Sequence, residues 1–125
     1  MIELIDGLQK FSAEAYPKKK ETFDKLATGQ SPHTLLITCS DSRIDPALIT
    51  QTEPGELFIV RNVGNLVPHF NSTNGGEESE IEYAIQGLSV SNIVICGHSL
   101  CGGMDALLNG IDTEKYPSTV KWLEH

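Results

Sequence analysis

Residues 34 to 43 read TLLITCSDSR. Thr34 to Thr38 is an unbroken apolar and β-branched run, the pattern of a strand covered on both faces in a parallel sheet. Cys39, Asp41 and Arg43 follow it directly. The same pattern occurs twice more. Leu57 to Val60 (LFIV) follows the turn signal Glu53-Pro54-Gly55, and Ile93 to Cys96 (IVIC) follows the polar pair Ser91-Asn92, so both read as buried strands. Between them lie a stretch rich in Asn, Gly, Ser and Thr (62 to 76) and then Ile81, Ala84, Ile85 and Leu88 at helical spacing. Strand, helix, strand is a parallel crossover, and the fold class is α/β with a mainly parallel sheet flanked by helices.

Upstream of the first strand, Ile2, Ile5, Leu8 and Phe11 recur every three residues, as one face of a short amphipathic helix requires. Pro17 is expected to open a second helix that turns Phe23 and Leu26 inward and ends near Gly29. Downstream, Met104 to Leu108 should start a helix after Gly102-Gly103, and Val120, Trp122 and Leu123 look like the opening of one more, inside which the chain stops. No internal repeat or low-complexity stretch is present. The expected organisation is a single domain, with N-terminal helices over 1–29 and an α/β core over 30–125.

The chain has 125 residues, and its acidic residues outnumber the basic ones 17 to 9, for a formal charge of −8. Such a charge repels phosphate backbones and anionic lipid surfaces, so neither nucleic acid nor a membrane is an expected partner. No apolar run approaches the roughly 20 residues needed to cross a bilayer, and the acidic N-terminus lacks a signal peptide's basic start. A cytoplasmic location is expected. Three cysteines without a secretory signal favour metal binding or catalysis over a disulfide framework.

Two loops leave the C-terminal ends of expected strands, where open parallel sheets place their ligands. The first is Cys39-Ser40-Asp41-Ser42-Arg43 and the second is His98-Ser99-Leu100-Cys101-Gly102-Gly103. Thiolate and imidazole are the usual ligands of zinc, whereas calcium or magnesium demand oxygen; ligand type alone leaves iron open. Cys39, His98 and Cys101 are therefore the candidate metal ligands, and Cys96 reads as a small buried hydrophobe. Asp41 shares a face with Cys39 in an extended segment. It has two readings: a fourth ligand that closes the site, or the partner of Arg43 in a bidentate pair that leaves the fourth position to water. Only the second is catalytically open, because zinc lowers the pKa of bound water from about 15.7 towards about 7. A closed, purely structural zinc with Asp41 as fourth ligand is the competing reading.

Cys39 to Arg43 together with His98 to Gly103 resembles the paired signature of β-class carbonic anhydrases. Pro54 to Phe58, Val60-Arg61-Asn62 with Gly64-Asn65, and Ile81 to Ala84 look like further family segments in the family's order, so the resemblance covers roughly residues 20 to 110. It implies that Cys39, His98 and Cys101 hold Zn2+, that Asp41 and Arg43 form the catalytic dyad, and that the reaction is reversible hydration of carbon dioxide to bicarbonate and a proton. It also implies substrate contacts from Gln30, across a dimer interface, and from Phe58 and Tyr83, which match the aromatics of a narrow apolar pocket. The region from Leu8 to Gln30 is similar to plant and cyanobacterial members, some of which work in carboxysomes. Family members usually run to about 200 residues or more, so the chain is expected to lack a C-terminal part, and an obligate homodimer or higher oligomer is implied. Hydrolysis of carbonyl sulfide or carbon disulfide on the same site, and a non-catalytic fragment stapled by zinc, are the alternatives.

Overall fold

The computed structural model describes residues 1–71 and 76–125. The Asn, Gly, Ser and Thr-rich stretch expected as a loop over 62 to 76 therefore lies partly outside the described residues. Two compact units are present, Met1–Gln30 and Ser31–His125.

The first unit is helical. α1 (Ile2–Lys10) runs through a π-turn (Phe11–Ala15) into α2 (Tyr16–Lys18), and α3 (Lys20–Leu26) follows. Pro17 stands in the first turn of α2, but α2 continues directly from the π-turn and breaks at Lys19, whose ψ is 17°, so Phe23 and Leu26 belong to the separate α3. Proline lacks an N–H and its ring clashes with the carbonyl four residues back. The wider π-turn immediately before it relieves that conflict, with the Tyr16 N–H bonding to the Phe11 carbonyl. Tyr16 stacks on Phe23 at 5.4 Å between ring centroids, and Phe11 meets the Phe23 edge at 5.9 Å. α1 buries none of its residues.

The second unit is built on three parallel strands in the order β2-β1-β3: β1 (Thr34–Cys39), β2 (Leu57–Asn62) and β3 (Asn92–Cys96). α4 (Pro46–Thr50) joins β1 to β2, and α5 (Gly76–Glu82), continued by a π-turn (Tyr83–Gly87), carries the chain across β1 to β3. α6 (Gly102–Asn109) and α7 (Pro117–Leu123) complete it. Leu35 and Ile37 of β1 pack with Val60 and Ala84, and Phe58, Ile81 and Val90 close around them. A second cluster joins Cys39, Ile44 and Cys101, with Cys96 and Met104 against it.

Only β1 has the full burial expected of all three strands. β2 buries Val60 and Asn62 alone, and β3 buries none of its residues: Ile93, Val94 and Ile95 are 50%, 43% and 57% exposed. The physical reason is position in the sheet. Among the described residues β1 is paired on both sides, whereas β2 and β3 each pair on one side only. The shared hydrophobic pattern identifies strands but does not rank them from centre to edge.

Candidate metal centre

β1 ends at Cys39, which is in register with Asn62 of β2. The chain then turns through Ser40 to Ile44 and enters α4, where Asp45 caps the helix by accepting the Leu48 N–H at 2.9 Å and Pro46 stands in the first turn. β3 ends at Cys96, and His98 follows two residues later. Leu100 adopts a left-handed conformation (φ 57°) that folds the chain back, so that Cys101 arrives as the residue capping α6. The two loops therefore meet above neighbouring strand ends.

There Cys39, His98 and Cys101 place their ligand atoms within 4.8 Å of one another, the one such metal-capable cluster among the described residues. The sulfurs of Cys39 and Cys101 are 3.7 Å apart. Two zinc–sulfur bonds of about 2.3 Å at a tetrahedral angle set sulfurs about 3.8 Å apart, so the spacing fits one ion shared by both. His98 Nε2 is buried and has no hydrogen-bond partner, while Nδ1 lies 2.9 Å from the Ser99 carbonyl. With Nδ1–H donating to that carbonyl, Nε2 carries the lone pair a metal requires. The residues present fit a zinc ion.

Electrostatics favour an anionic Cys39. Burial pushes its thiol up, but the backbone N–H of Asp41, the His98 ring, the backbone N–H of Gly64 and the Cys101 thiol outweigh it and bring the pKa down to about 7. Conversely, the nearby Cys39 sulfur raises the pKa of His98 against the opposing effect of burial. Gly64 reaches Cys39 because Gly103 allows it to: a Cβ on Gly103 would stand 2.9 Å from the Gly64 nitrogen and 3.0 Å from its Cα. Trp122 of α7 braces the same segment by donating Nε1–H to the Val63 carbonyl at 2.7 Å.

Asp41 faces Arg43. Arg43 Nη2 and Nε donate to its two carboxylate oxygens at 2.7 and 2.9 Å, and the Arg43 backbone N–H adds a third bond at 2.9 Å. These donors hold the Asp41 carboxyl well below the usual carboxylate range. Its Oδ2 lies 3.9 Å from His98 Nε2. Arg43 Nη2 also donates to the Leu100 carbonyl at 2.7 Å, so the pair is tied to the second loop.

Phe58 and Tyr83 lie elsewhere in the unit. Their rings pair at 6.0 Å, and Phe58 stands four residues before Asn62 in β2, about 13 Å along the strand from the level of Cys39. Gln30 ends the first unit and is exposed. Sequence reasoning gave no part to Arg61, Ser99 or Leu100. The only available sign was an arginine inside an otherwise apolar strand; the carbonyls that Ser99 and Leu100 contribute have no signature in residue type.

Comparison with known proteins gives a consistent set. The sequence model of one family, described as carbonic anhydrase, matches residues 34–125. A carbonic anhydrase of Synechococcus elongatus is 51% identical over 127 residues, covering 100% of this chain and 46% of that relative. One from Pseudomonas aeruginosa is 46% identical, covering 100% and 57%. Among solved structures, the β-carbonic anhydrase CcaA superposes with a TM-score of 0.96 at 47% identity, covering 100% of this chain and 61% of that one. One of two tetrameric β-carbonic anhydrases from Sordaria macrospora gives 0.84 at 34%, covering 98% and 59%. The chain spans about half the length of the curated relatives it matches.

Proposed function

The chain belongs to the β-carbonic anhydrase family, and from that premise we propose that its metal centre catalyses reversible hydration of carbon dioxide to bicarbonate and a proton. The observation that carries this reading is the engagement of Asp41 by Arg43, which turns the carboxylate away from the ligand role and leaves three protein ligands. A zinc site with three protein ligands and an open fourth position is the catalytic type.

Cys39, Cys101 and His98 Nε2 would hold the ion, and the bond from His98 Nδ1 to the Ser99 carbonyl fixes the ring. Zinc, when bound, supplies a Lewis acid that lowers the pKa of a coordinated water from about 15.7 to about 7. Asp41, kept ionised by Arg43, can only accept a hydrogen bond, so it would orient a hydrogen-bond donor placed beside the metal ligands. Arg43 supports that geometry by bridging Asp41 to the Leu100 carbonyl. Phe58 and Tyr83, paired but distant along β2 from the chain's own ligands, fit an apolar pocket completed between two copies, as does Gln30. Carbon dioxide has no net dipole and suits such a lining. The working unit is accordingly a homodimer or higher homo-oligomer.

The test is carbon dioxide hydration by this chain, followed by proton release, with zinc determined on the same sample. The expected result is one zinc per chain and hydration that Asp41→Asn largely abolishes without loss of zinc. Fully zinc-loaded protein with no hydration above the uncatalysed rate would sink the proposal. Parallel assays with carbonyl sulfide and carbon disulfide identify the preferred substrate.

A further inference from the structure

The loop from Cys39 to Ile44 carries a metal ligand at its start and the Asp41–Arg43 pair at its centre. One side of it is tied to the second loop through Arg43 and the Leu100 carbonyl. The other side is held by Arg61 of β2. Arg61 Nε donates to the Cys39 carbonyl at 3.0 Å, and Nη2 donates to the carbonyls of Asp41 and Ile44, each at 2.8 Å. Three carbonyls from six consecutive residues thus converge on one guanidinium. The arrangement is specific to arginine: its rigid planar fork presents five donors, whereas lysine offers a compact point charge on a flexible stem.

These three partners of Arg61 are backbone oxygens, so its charge is spent on loop shape. The Cys39 carbonyl belongs to the residue that supplies a sulfur ligand, and the Asp41 carbonyl to the residue that faces the open position. Arg61 is also anchored within the sheet, because its own backbone is in register with Thr38 of the central strand. The loop is therefore referenced to the most buried strand through one side chain.

We infer that Arg61 is a positioning residue of the metal centre: it fixes the Cys39–Ile44 loop so that the Cys39 sulfur and the Asp41 carboxylate hold their places relative to the ion. This rests on the carbonic anhydrase reading for its kinetic consequence but not for its geometric one. Arg61 touches neither ion nor substrate.

The experiment compares the full chain with Arg61→Lys and Arg61→Gln, each loaded with Co2+ alone for spectroscopy and with Zn2+ for kinetics. The expected result for Arg61→Lys is an unchanged melting midpoint, one metal per chain and an altered cobalt d–d spectrum. Its kcat should fall about tenfold to a hundredfold, because small misplacements near the reacting atoms carry such costs. KM should stay within about twofold, as expected when transition-state geometry is lost and ground-state binding is kept. Arg61→Gln should show the same changes to a greater degree. A parental cobalt spectrum in both variants would overturn the inference. So would an activity loss that only follows the loss of folded, metal-loaded protein, since that is what general destabilisation produces. If the parent chain is fully loaded yet inactive, the hydration reading fails, and the cobalt spectra alone still decide for or against Arg61.

Discussion

Removing the metal should destabilise the fold by an amount that the topology sets. Cys39 and Cys101 are 62 residues apart in sequence and stand close enough to share one ion. A cross-link closing a loop of that length lowers the entropy of the unfolded chain by an amount worth about 4 kcal/mol at 25 °C, by the same reasoning as for a disulfide. With an unfolding entropy of about 2.1 cal/mol/K per residue, this corresponds to a drop of about 15 °C in the melting midpoint. The assay is thermal unfolding followed by circular dichroism, before and after treatment with a tight zinc chelator, with metal content measured in both samples. Readding zinc should restore the midpoint, and Cys101→Ser should melt low in either state, since it cannot close the loop. An unchanged midpoint in protein that has demonstrably lost a stoichiometric zinc would refute the reasoning, because metal binding would then not be coupled to folding.

Asp41→Asn and Arg43→Ala should each keep zinc and lose about a hundredfold or more in hydration, measured by proton release at matched metal content. Because the folded pKa of Asp41 is depressed, its pair with Arg43 stabilises the fold above the ordinary carboxylate value of 3.8, and that contribution is lost as the pH falls through the depressed one. The melting midpoints of Asp41→Asn and the parent should accordingly differ at neutral pH and converge in strong acid; a constant gap would contradict this. In metal-free protein, ultraviolet thiolate absorbance should reveal a first ionisation near pH 7, from Cys39; a first midpoint at the ordinary thiol value would show that the loop donors do not act on the sulfur. Gly103→Ala should cost about 1–3 kcal/mol, read from denaturant unfolding, because the new Cβ meets the Gly64 backbone at 2.9 Å and cannot be relieved by a rotamer change.

The strands were legible because β-branched apolar runs have few alternatives between turn signals, and the structure has them at Thr34–Cys39, Leu57–Asn62 and Asn92–Cys96. Their order was not legible, since LLIT, LFIV and IVIC carry the same pattern whether a strand is central or at an edge. Pro17 does stand in a first helical turn, but local rules show neither the π-turn that joins that turn to α1 nor the break at Lys19 that separates it from α3. The three candidate ligands in the two loops could be picked out because few residue types bind zinc, and the structure brings those three together. The supporting geometry was hidden for a different reason. Arg61 acts on carbonyls 17 to 22 residues away, and Leu100 acts through a backbone conformation that leucine does not advertise.

The exposed third strand has a colloidal consequence. Ile93, Val94 and Ile95 present apolar side chains beside an unpaired row of backbone donors and acceptors, which is the surface from which edge-to-edge association starts. Against such association the net charge of −8 supplies a like-charge repulsion between copies. That repulsion reaches only about 10 Å at 0.1 M salt and about 3 Å at 1 M. Raising the ionic strength therefore weakens the repulsion between copies while leaving the apolar β3 edge as exposed as before.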